Sequence, residues 1–186
     1  MKKIYIFLFL LITTLVASQA SAHKRLFILL GQSNMSGRAP IEDADMAVCP
    51  MVKLLNADGH FEVLRNPLNR FSNIRKDIAM QKLGPGYTFA ETLSEQLQDT
   101  IFFVVNARGG TALERFMKND TAGYYEKTLF RIKQALRERP DLKPATIIWH
   151  QGESNRDDYQ SYLNHLNTLV ADLRSDLGIP DLPFIA

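Results

Sequence analysis

Three short polar clusters in this 186-residue chain bring together side chains with the chemistry of acyl transfer. The first is Gly31-Gln32-Ser33-Asn34-Met35, directly after the apolar run 25–30 (RLFILL). A glycine behind a buried strand permits a sharp turn without a Cβ penalty. A serine just beyond it is lifted to the top of the sheet, with its amide open to a ligand. Acyl transfer needs that pairing of an exposed hydroxyl nucleophile with backbone N–H groups facing the developing oxyanion. The competing reading is a polar turn in which Ser33 caps a helix, and the pentapeptide does not follow the GxSxG pattern.

The second cluster, Arg108-Gly109-Gly110-Thr111, follows the run 101–106 (IFFVVN). Paired glycines there let the backbone approach a substrate, and one amide could donate to an oxyanion; an ordinary turn into a helix is the alternative. The chain has no GxxxxGK[ST] and no GxGxxG, which argues against a phosphate loop. The third cluster is Trp149-His150-Gln151-Gly152-Glu153-Ser154-Asn155, at the end of the run 145–149 (ATIIW). The Gln151 amide can donate through its NH₂, and Glu153 could orient a neighbouring polar group. Ser154 or Asn155 would cap the following helix. His150 is a candidate general base, against the favoured expectation of a histidine packed and hydrogen-bonded at a strand end.

These clusters need elements to hold them. The three apolar runs read as buried strands. Residues 86–98, with Phe89, Ala90, Leu93 and Leu97 in phase, predict a helix. So do residues 124–138, with Tyr125, Leu129, Ile132 and Leu136 on one face and Pro140 as the stop. The longest apolar stripe, from Tyr159 to Leu177, predicts a helix over 157–177, with Asp157 and Asp158 in its first turn. Residues 36–85 read as mostly irregular, apart from a short strand at 52–55 ending in a turn at Asp58-Gly59. Arg65, Arg70, Arg75 and Lys76 are expected in a solvated part of that loop. Residues 183–186 begin another strand. Strands alternating with helices predict an α/β fold: a three-layer sandwich with a central, mostly parallel sheet. All three clusters then fall at carboxyl ends of strands, where such sheets form their ligand crevice.

The N-terminus addresses location. Lys2 and Lys3, an apolar run of 13 residues at 4–16, and Ala20-Ser21-Ala22 form a secretory signal pattern. The run is shorter than the roughly 20 residues a spanning helix needs. Residues 1–22 are therefore expected to be a cleaved signal peptide, and residues 23–186 one secreted or periplasmic domain with no membrane association. The signal accounts for two lysines and no acids, so the rest carries 20 basic and 20 acidic residues. That balance, without a clustered basic face, argues against a nucleic-acid partner. The single cysteine, Cys49, rules out an internal disulfide and has no nearby His or Asn to make it a nucleophile. No metal-ligand spacing is present, and no cofactor is expected.

In this order the clusters resemble the SGNH-type sialate O-acetylesterase and acetylxylan esterase group, carbohydrate esterase family 6 among them. LLGQSNMSG resembles the nucleophile block, ARGGTALERF the glycine block and IIWHQGESN the third block; Leu83-Gly84-Pro85-Gly86 and Asp181-Leu182-Pro183-Phe184 also fit. The resemblance covers 25–186 and implies the SGNH hydrolase (flavodoxin-like) fold. It implies Ser33 as nucleophile and amide donor, Gly109 or Gly110 as second oxyanion donor, Gln151 as third, Glu153 as an orienting group, and neither metal nor organic cofactor. An acetylated carbohydrate, of sialic acid or xylan type, is the implied substrate. The family's base comes from an Asp-x-x-His segment downstream of the DLPF strand. None of His23, His60, His150 and His165 has that context. The expectation is therefore a domain whose last part is missing from this chain, with little or no turnover as it stands. The alternative is a carbohydrate-binding pseudoenzyme, or one in which His150 substitutes as base.

Overall fold

The structure, a computed structural model, describes residues 23–186, so the signal expected at 1–22 lies outside the described residues. Six strands form one sheet: β1 (Lys24–Gly31), β2 (Cys49–Leu55), β3 (Phe61–Leu64), β4 (Ile101–Ala107), β5 (Leu142–His150) and β6 (Phe184–Ile185). Their order across the sheet is β3-β2-β4-β1-β5-β6, parallel except for the antiparallel β2–β3 pair. Four α-helices accompany them: α1 (Ser33–Ser36), α2 (Gly86–Leu97), α3 (Tyr124–Glu138) and α4 (Tyr159–Leu177).

The central strands are buried on both faces, which explains why their sequences are apolar without alternation. Leu26, Ile28 and Leu30 of β1, with Phe102 and Val104 of β4, face Tyr125, Ile132 and Ala135 of α3 and Leu169 and Leu173 of α4. The intervening residues, Phe27 and Leu29, and Phe103 and Val105, face Tyr87 and Ala90 of α2. The result is a three-layer α/β sandwich, the architecture expected from the alternation of strand and helix.

Three local expectations are corrected. The turn at Asp58-Gly59 is the middle of a hairpin, and β3 continues beyond it in the stretch read as irregular. Helix α4 starts at Tyr159; its cap is Asp158, whose side chain accepts from Ser161 N, rather than Ser154 or Asn155. The loop after β3 is docked on the sheet: Arg65 and Lys76 are exposed as expected, whereas Arg70 and Arg75 are half-buried. Asn69 exchanges two 2.9 Å hydrogen bonds with the backbone of Ala107, as a neighbouring strand residue would. Arg70, half-buried, donates to Glu62 at 2.7 Å.

Candidate active site

Sheet order decides which clusters meet. Strand β1 lies between β4 and β5, and Gly31 is in register with both Ala107 and His150. The Ser33 cluster is therefore flanked at one level by the glycine cluster and the third cluster. Ladder bonds continue past the strand ends: Arg108 N donates to Gly31 O and Gln32 N to His150 O, both at 3.0 Å.

Gly31 makes the turn at φ +141°, and an added Cβ would overlap the His150 backbone, 2.7 Å from its carbonyl carbon and 2.9 Å from its nitrogen. No other residue fits there. The chain then enters the one-turn helix α1, with Ser33 half-buried at its start and Ser36 N closing onto Gln32 O at 2.9 Å. Of the two candidate glycines, Gly109 is buried beside the nucleophile: a Cβ on it would stand 3.6 Å from Ser33 Cβ and run into the Arg38 guanidinium. Gly110 is exposed, in left-handed backbone, with Lys76 Nζ 3.5 Å from its Cβ position. Among the described residues neither the Ser33 nor the Gly109 N–H has a protein acceptor.

Glu153 reaches back to the nucleophile cluster. Its carboxylate accepts from Gln32 Nε2 and Asn34 Nδ2, the two residues flanking Ser33. Ser154 Oγ donates to Gln32 Oε1 at 2.8 Å, so the buried Gln32 amide is held at both ends. Gln151 is buried and ties the third cluster to the glycine cluster. Its Nε2 donates to Thr111 O at 3.2 Å and to Asn155 Oδ1 at 2.7 Å, while its Oε1 is buried without a partner.

One histidine departs from expectation. His150 is exposed rather than packed, because Trp149, one residue earlier, takes the inward position against Phe116. Among the described residues no histidine nitrogen bonds to Ser33 Oγ. His60 pairs at the surface with Glu138 (3.0 Å), which raises its pKa through that hydrogen bond. His165 lies 3.3 Å from Glu114 Oε1 without hydrogen-bond geometry. Burial pushes the Cys49 thiol up, the opposite of an activated nucleophile. The described residues include no group of three or more His, Cys, Asp or Glu side chains that could hold a metal ion, and no helix long and apolar enough to cross a membrane.

Several site residues escaped the sequence reading. Arg38 donates to Ser36 Oγ (2.9 Å), Gly37 O (2.6 Å) and Met80 O (2.9 Å), which stations its guanidinium beside Gly109. Its place three residues after the conspicuous GQSNM stretch was the available signal. Glu114 and Asn69 carried none, because their partners are remote in sequence.

A serine at a glycine turn, two backbone N–H groups without a protein acceptor and a polar third loop meet at the carboxyl ends of an α/β sheet. The family model for carbohydrate esterases, sialic acid-specific acetylesterase, matches residues 23–186, and the chain belongs to that family. It is 30% identical over 181 residues to a protein of Arabidopsis thaliana named as a probable carbohydrate esterase, covering 87% of this chain and 67% of the relative. The crystal structure of an Arabidopsis thaliana protein matches with a TM-score of 0.77 at 28% identity, over 87% of this chain and 72% of that one. The fold also matches NanS (TM-score 0.67, 22% identity, 88% and 66% covered) and a carbohydrate acetylesterase from Xanthomonas citri (0.55, 20%, 86% and 40%).

Proposed function

We propose that this domain is a serine esterase that removes O-acetyl groups from a carbohydrate, of the acetylated sialic acid or xylan type. One observation carries the reading: Ser33 stands at a glycine turn beside Gly109, with both backbone N–H groups unpaired. Family membership and the carbohydrate esterase names of its relatives support the substrate class.

Ser33 Oγ attacks the acetyl carbonyl carbon while a base takes its proton. The carbonyl oxygen becomes an oxyanion, held by the N–H groups of Ser33 and Gly109. Collapse breaks the bond to the sugar oxygen, which recovers the proton, and leaves acetyl-Ser33; water then releases acetate by the same steps. Glu153 acts through Gln32 and Asn34 to hold the turn in place. The base is proposed to be the histidine of an Asp-x-x-His segment of the kind the resemblance implies, with His150, exposed at the neighbouring strand end, as the alternative. Acetate release from an aryl acetate and an acetylated sugar, compared between the unmodified protein and its Ser33→Ala and His150→Ala variants, tests both. Turnover that survives Ser33→Ala would refute the nucleophile. Turnover that is Ser33-dependent and lost in His150→Ala would make His150 the base.

Gln151 is the proposed third donor. Its longer bond, to Thr111 O, is the one an oxyanion would replace. Gln151→Ala is expected to lower kcat by roughly 10²–10³ with KM little changed, the loss typical of one oxyanion donor. Steady-state kinetics decide: a change confined to KM would leave Gln151 with a binding role only.

We also propose export to the periplasm or medium, from the signal pattern at 1–22. Sequencing the exported protein should find an N-terminus at or near His23; an intact Met1 would refute cleavage.

A further inference from the structure

Gln151 is useful to an oxyanion only if its NH₂, and not its carbonyl, faces the right way. The described contacts show what makes that choice. Asn155 Oδ1 accepts from Leu113 N at 2.8 Å, and Asn155 Nδ2 donates to both Glu114 oxygens, at 3.0 and 2.9 Å. A backbone N–H can only donate and a carboxylate can only accept. The Asn155 amide therefore has one orientation, despite the near symmetry of its two ends. Its Oδ1, already turned inward, then demands a donor from Gln151 and receives Nε2 at 2.7 Å. Backbone bonds fix the same segment: Asn155 N donates to Gly152 O at 2.8 Å, and Tyr162 Oη donates to Gln151 O at 2.8 Å.

The carboxylate at the start of this chain is kept ionised. Burial raises the Glu114 pKa, but the Asn155 amide, its own backbone and His165 together outweigh it and hold the group below the usual carboxylate range. The arrangement leaves Gln151 Oε1 buried with no donor. Such a group costs stability, so the amide is held against its own preference for full pairing.

We infer that Glu114 and Asn155 are positioning residues for the reaction: they set the orientation of the Gln151 amide so that one N–H stays bonded to Asn155 and the other, on Thr111 O, can pass to the substrate oxygen. The role is orientation alone. A negative charge at the far end of the chain makes the Gln151 N–H that faces Thr111 O a slightly weaker donor, so removing the charge without disturbing the orientation should not slow the reaction. The inference rests on the reading of Ser33 and Gln151 as parts of an esterase site.

The test is a mutant cycle with two readouts, run on protein in which the base is present. The first is the side-chain amide signal of Gln151 in ¹⁵N–¹H spectra, assigned by its disappearance in Gln151→Ala. The second is kcat against KM for aryl acetate hydrolysis. In the unmodified protein one Gln151 amide proton should exchange more slowly than those of exposed glutamines. Asn155→Ala removes its acceptor, and Asn155→Asp sets two carboxylates against each other. Both should abolish that protection and lower kcat at least about tenfold, the scale of a misplaced catalytic group, with KM changed less than about twofold. Adding Glu114→Gln to Asn155→Asp restores a donor facing an acceptor, with polarity reversed, and should recover both protection and kcat. Should Asn155→Ala fail to fold, the Asn155→Asp single and double variants still close the comparison. An unprotected Gln151 amide in the unmodified protein would overturn the inference, as would protection or kcat indifferent to Asn155→Asp. Hydrolysis that survives Ser33→Ala while the Gln151 signal follows the cycle would sink the esterase reading and leave the orientation device standing.

Discussion

In protein that carries the base, Ser33→Ala should lower acetyl-ester hydrolysis by roughly 10⁴–10⁶-fold, the range seen when a serine nucleophile is removed from a working site. The same variant should leave the fold almost untouched. The Ser33 hydroxyl has no hydrogen-bond partner among the described residues; only its backbone carbonyl is used, by Ser36 Oγ at 3.0 Å. Truncating it therefore orphans no donor or acceptor and opens little space, since the residue is half-buried at the start of α1. A surface-level change in stability, within about 0.5 kcal/mol, is expected. Rate and thermal midpoint measured on one preparation separate the outcomes. Loss of activity with loss of fold would make Ser33 structural, and retained activity would remove it from the mechanism.

Gly31→Ala should do the reverse damage, to the fold first and the activity with it. The backbone at Gly31 has φ +141°, a region that L side chains rarely adopt, and the new Cβ would occupy the space of the His150 backbone. Relief requires β1 and β5 to part at their carboxyl ends. That breaks the Gln32 N to His150 O bond and strains the Arg108 N to Gly31 O bond on the other side. A strained backbone residue costs about 1–3 kcal/mol, and each hydrogen bond lost contributes about 0.5–1.5 kcal/mol. A total near 4 kcal/mol is expected, a large share of the stability of a domain this size. Urea unfolding would read it. A loss below about 1 kcal/mol would show that the turn can relax, and that the tight approach of Gly31 to His150 is not what holds the nucleophile loop between its neighbours.

Much of this protein is written locally. The runs RLFILL and IFFVVN are apolar at every position because both faces of a central parallel strand are covered, and no tertiary knowledge is needed to see it. The stripe in 124–138 has helical period and a proline beyond it, and α3 spans those residues. The polar clusters announce themselves by contrast, since each interrupts an apolar strand. Hairpin strand β3 was missed for the opposite reason. Phe61–Leu64 is four residues long and carries a charge, so its assignment rests on pairing with β2 rather than on any pattern of its own.

What the tertiary structure alone decided is which polar groups meet. Glu153 lies 121 residues from Gln32 and 119 from Asn34, yet it clamps both. Asn155 is 41 residues from Glu114. Gly109 and Gly110 are alike in sequence, and only the path of the loop puts the first against Ser33 and turns the second outward. His150 is exposed beside the buried Trp149 because strand register, not composition, assigns their faces. The physical reason is common to all four cases. Hydrophobic periodicity records each residue's own burial and can be read along the chain. Pairing between loops depends on the order β4-β1-β5, which is fixed by how the whole sheet assembles.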